Sequence, residues 1–104
     1  MTTYAWVITK DHLMEPGDPE EGSSVGVAGP HEASDEALAQ VRAGHGRLFR
    51  MYDDDGILYY TGRLFDTTGD YDEDACYAPL GDYGMPGAGA VEIRYHGHRE
   101  MDCG

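Results

Sequence analysis

Lysine occurs once, at Lys10, and only six arginines accompany it against twenty acidic residues. A net charge of −13 repels nucleic acid and anionic lipid, so direct binding to either is disfavoured and a basic protein surface is the favoured partner. Cysteine is also scarce. Cys76 and Cys103 are the only two, too few for a disulfide framework, and they read as a buried thiol and a loose tail thiol. No apolar run approaches the roughly 20 residues that span a bilayer. The N-terminal MTTYAWVITKDH has no basic segment leading into an apolar one, so a cytoplasmic protein is expected. At 104 residues the chain suits one small domain, residues 1–104, with one modest core.

Catalytic motifs are missing as well. There is no G-x-S-x-G, no glycine-rich phosphate loop and no suggestive Cys–His pair, so no enzyme activity and no cofactor are expected. Asp70, Asp72 and Asp74 have the 1-3-5 spacing of a calcium loop, but Ala75 stands where the sharp turn needs Gly. Gly81 stands where a bidentate Glu belongs, and no metal site is expected there. Asp53-Asp54-Asp55-Gly56 is explained by a turn. His96 and His98, with Asp102 and Cys103 beyond, lack a second ligand pair for zinc and lie on a fraying C-terminus.

What is present sorts into strands, one helix and loops. TYAWVIT (3–9) alternates, with Tyr4, Trp6 and Ile8 on one face and Ala5 and Val7 on the other, the pattern of a strand. Ser34 suits an N-cap, Asp35 and Glu36 the first helical turn, and Gly44 the C′ position. Between them Ala37, Leu38 and Val41 make one apolar stripe of a helix of about ten residues. RLFRMYDDDGILYYTGRLF (47–65) is a β-hairpin turning at Asp55-Gly56. Phe49, Met51, Leu58, Tyr60 and Leu64 are expected in its core face, with Gly62 allowing a bulge or a close approach. AVEIRYHGH (90–98) is a last strand with Val91, Ile93 and Tyr95 inward. Long loops are expected at 14–33 and 66–89. The fold class is α+β: a four-stranded, mainly antiparallel sheet, β-α-β-β-loop-β, with one helix on one face.

The charge is unevenly placed. Residues 53–82 hold nine acids against Arg63 alone, a net of −8. Within them GDYDEDACY (69–77) interleaves tyrosine with acid, as interfaces do. Two conformations are open for it. An extended segment sets Asp70, Asp72 and Asp74 about 6.6–6.8 Å apart on one side, near the phosphate repeat of a nucleic-acid strand. A short helix with Asp70 as N-cap and Glu73 closing a capping box breaks that row. The candidate partner-binding residues are Asp53, Asp54, Asp55, Asp66, Asp70, Tyr71, Asp72, Glu73, Asp74, Asp82 and Tyr83. The competing reading of the tyrosines is that they pin a long loop to the sheet.

YAWVITKDHL (4–13), FRMYDDDGILYYTGR (49–63) and APLGDYGMPGAGAVEIRY (78–95) resemble small acidic proteins of phages and plasmids of high-GC bacteria. The resemblance implies an anti-defence role in the host cytoplasm, of the anti-CRISPR or anti-restriction DNA-mimic kind, with a CRISPR effector among the expected targets. It transfers no site residue. The alternative is a small accessory scaffold, dimerising through an edge strand, whose acidity is only solubility.

Overall fold

The computed structural model describes residues 2–13 and 24–104, so residues 14–23 of the expected loop at 14–33 lie outside the described residues. The chain is α+β. Five antiparallel strands, β1 (Tyr4–Asp11), β2 (Ala28–Gly29), β3 (Arg47–Tyr52), β4 (Leu58–Asp66) and β5 (Glu92–Tyr95), form one sheet in the order β2-β1-β4-β3-β5. The extra strand relative to the expected four is β2, two residues paired to Trp6 and Val7, too short to leave an alternating pattern. Helix α1 (Asp35–Arg42) begins at Ser34, whose Oγ accepts from the Ala37 amide at 3.2 Å, and Gly44 follows its end at φ +92°.

The sheet has helices on both faces, not on one. Ala37 and Val41 of α1 pack on Ala5 and Val7 of β1. The opposite face carries the main core of Trp6, Ile8, Phe49, Met51, Tyr60, Leu64, Ile93 and Tyr95. It is covered by a helical run through residues 73–88, where the sequence suggests a loop with at most one short turn. Helix α2 (Glu73–Pro79) is followed by a π-helical turn (Leu80–Gly84) and a last helical turn, α3 (Met85–Ala88). Ala75, Cys76, Ala78 and Leu80 supply the buried side, and the small alanines let the backbone lie close to the sheet. Pro79, at the end of α2, offers no N–H to an i−4 carbonyl, and the wider turn begins just after it.

Two β-bulges decide which side chains share a face. One falls between Ile8 and Lys10, and the other between Met51 and Tyr52 opposite Leu58–Tyr60. The second turns Leu58 away from the core, so of the five hairpin residues expected there Phe49, Met51, Tyr60 and Leu64 are buried and Leu58 is not. Val91 is exposed because β5 begins one residue later.

The C-terminus does not fray. Met101 is buried, Cys103 exchanges both backbone hydrogen bonds with Ile93, and Asp102 Oδ1 accepts the Tyr95 amide at 2.8 Å. Cys103 is therefore a half-buried thiol rather than a loose one, and both cysteines are free. No helix among the described residues is long and apolar enough to cross a membrane.

Candidate interaction face

The acids between 53 and 82 do not form one face. β4 has nine residues, a length of about 26 Å at roughly 3.3 Å per residue, and it separates Asp53–Asp55 at one end from Asp66–Asp74 at the other. At the hairpin end the three carboxylates lie within 4.8 Å of one another. Asp53 is committed to the turn: its Oδ1 accepts from the Asp55 and Ile57 amides at 2.9 and 2.8 Å. The Ile57 hydrogen bond chiefly holds its carboxyl below the ordinary range. Asp54 and Asp55 are left exposed.

Four further expected contact residues turn out to hold local structure. Asp66 is 5% exposed and accepts from the Thr68 amide and hydroxyl at 2.9 and 2.7 Å, closing the turn after β4. Asp72, not Asp70, is the N-cap of α2, accepting from the Ala75 amide at 2.9 Å. Tyr71 sits at φ +44° with the Arg47 guanidinium 3.9 Å from its ring centroid. Tyr83 packs between Trp6 and Tyr60, at 5.6 and 5.5 Å between centroids, and shares a hydrogen bond with Ser24 Oγ. Both rings are anchors for the helical run. The extended row of Asp70, Asp72 and Asp74 does not form, because Asp74 is already in the helix, where the rise is about 1.5 Å per residue.

We expect Asp72→Ala to cost about 1 kcal/mol, the usual worth of an N-cap, seen as a lower urea midpoint at unchanged slope. Asp70→Ala should leave the midpoint where it is, since Asp70 is exposed and caps nothing. Equal losses from the two would remove the capping assignment.

What the fold does bring together is the field of several carboxylates at Tyr4. Its phenol is pushed up in pKa first by burial, then by the fields of Asp82, Asp74, Asp72 and Glu32. Asp82 is exposed yet accepts from Trp6 Nε1 at 3.2 Å, which fixes that carboxylate over the edge of β1. Glu32 and Asp74 are exposed. The face thus combines outward acids with a half-buried tyrosine, an arrangement suited to meeting arginine and lysine side chains. Tyr4 and Glu32 carry no local signal for this role. They reach the site only because β1 begins beside the end of β4 and the 24–34 segment returns to it, Thr2 bonding to Glu32 and Ser34.

Burial raises Cys76 to about 11 while its Sγ donates to the Tyr71 carbonyl, and Cys103 is raised by burial too. No family model, curated protein or solved structure matches the chain.

Proposed function

We infer that this is a non-enzymatic binding protein whose Tyr4-centred acidic face occupies a basic, nucleic-acid-binding surface of another protein. An inhibitor of a host defence complex, encoded on a phage or other mobile element, is the role that fits. The observation that carries the reading is the convergence of Glu32, Asp72, Asp74 and Asp82 on one half-buried tyrosine. Recognition rests on field and on a fixed Asp82 rather than on a phosphate-like repeat of carboxylates. The outer edge of β5 is met by Cys103 of the same chain, which leaves the dimerising scaffold with less open backbone to pair.

The test is capture from a bacterial lysate at low and high salt with the native chain and with Glu32→Gln/Asp74→Asn/Asp82→Asn, which spares the capping Asp72. The native chain should retain a nucleic-acid-binding protein at low salt and release it at high salt. The triple variant should retain little. Equal capture by both would end the acidic-face reading.

A further inference from the structure

Beyond α1, the sheet face that α1 only partly covers carries most of the few cations the chain has. Register places Lys10 opposite Thr61, Thr61 opposite Arg50 and Arg50 opposite Arg94, a row across four strands of about 14 Å at roughly 4.8 Å per strand. Arg63 lies two residues along β4 from Thr61, on the same face. The bulge after Ile8 is what brings Lys10 into this row. Like charges directly opposite on neighbouring strands destabilise a sheet, so Arg50 facing Arg94 breaks a local rule that a purely structural surface would obey. Arg94 is offset by Glu92 and lies over Tyr52. Among the described residues no side-chain hydrogen bond or ion pair holds the Arg50 guanidinium or the Lys10 ammonium.

Between Lys10, Arg50 and Arg63 lies an open groove of about 520 Å³, lined also by Leu48, Leu58 and Thr61. Its volume is in the range of small-molecule sites. No carboxylate among the described residues lines it. His12 Nε2 stands 2.9 Å from Thr61 Oγ1 at its wall, and the neighbouring Asp11 turns its carboxylate to the Leu13 and Ser24 amides instead.

We propose that this groove binds a nucleoside polyphosphate, its phosphates lying across Lys10, Arg50 and Arg63 and its organic part on Leu48 and Leu58. Three separated cations suit linked phosphates better than one isolated anion. Long-range repulsion scales with the ligand's own charge, so a chain at −13 penalises a nucleic acid or an acidic protein far more than a small anion. Leu48 and Leu58 give the organic part an apolar contact that pyrophosphate alone would not use.

Titration calorimetry of the full chain with ATP in EDTA, and separately with pyrophosphate, tests this. ATP should bind more tightly than pyrophosphate. Arg50→Gln and Lys10→Gln should each weaken ATP by about tenfold, the loss of one charged hydrogen bond, with circular dichroism unchanged. Asp74→Asn/Asp82→Asn, on the other face, should not weaken it, so failure here and failure of the acidic-face reading are separable. No heat with ATP at millimolar concentration, equal binding by Arg50→Gln, or preference for oligothymidylate or polyglutamate over ATP would each overturn the proposal.

Discussion

Gly62→Ala is expected to cost about 3 kcal/mol, the upper end for overpacking a core, and to bring the chain close to its stability limit. A Cβ there would stand 2.3 Å from the Val7 carbonyl oxygen and 2.5 Å from Phe49 Cζ. Neither neighbour can retreat. Val7 belongs to β1, which is paired to β4 on one side, while Phe49 is fully buried and pairs directly with Gly62 on the other. The Phe49 ring also meets Tyr95 edge-on at 5.9 Å, so displacing it disturbs β5. Gly56, in the hairpin turn, is the contrast: open space surrounds it, and only its φ of +79° resists a side chain. Urea unfolding of the two alanine variants should show a much larger loss at Gly62. A loss under 1 kcal/mol at Gly62 would mean the sheet can shift to admit a methyl group.

Alkaline pH should destabilise the fold steeply. Tyr95 is 3% exposed and donates its hydroxyl to the Cys76 carbonyl at 2.8 Å. Burial, reinforced by the fields of Cys76 and Cys103, raises it far above its ordinary 10.0. Burial likewise raises Cys76 from 9.0 to about 11. Both groups ionise to anions, and the folded chain keeps their protons where the unfolded chain releases them. Their stabilising contribution is therefore complete below pH 9, and it erodes as pH climbs past 9 for Cys76 and past 10 for Tyr95. Each such proton contributes a slope of about 1.4 kcal/mol per pH unit. Tyr95→Phe starts less stable at neutral pH, having lost a hydrogen bond, but its stability should fall less steeply above pH 10 by about that slope. An unchanged slope would show that Tyr95 ionises freely in the native state.

The sequence foretold those parts of the fold where residue pattern and structure share a length scale. The alternation of β1, the Asp-Gly turn of the β3–β4 hairpin, and the Ser34 and Gly44 ends of α1 all operate within a few residues, and each is found where the pattern places it. The helical run at 73–88 was hidden by its composition. Gly, Pro and Asp are turn residues in isolation, and only burial of Ala75, Cys76 and Leu80 against the sheet overrides them. β2 is set by pairing to β1 alone.

The candidate site was less legible still, because charge density along the chain is not charge density in space. β4 carries Asp53–Asp55 and Asp66–Asp74 to opposite ends, while Glu32, far off in sequence, joins Asp74 and Asp82 at Tyr4. Of the residues singled out by sequence, Asp66, Tyr71, Asp72 and Tyr83 are tied to turns, caps and packing. Asp54, Asp55, Asp70, Glu73, Asp74 and Asp82 remain outward. The cationic row was out of reach for the same reason. Lys10, Arg50, Arg63 and Arg94 meet only through register and a bulge.

On the proposed function, the Tyr4-centred acidic face competes with nucleic acid for a basic surface. The direct measurement is displacement of a labelled oligonucleotide from the nucleic-acid-binding protein retained at low salt, followed in time at two ionic strengths. The native chain should displace it, with association slowed about tenfold or more by added salt or by Glu32→Gln/Asp74→Asn/Asp82→Asn. Displacement that proceeds equally well with the triple variant, or that is indifferent to salt, would contradict the proposed function.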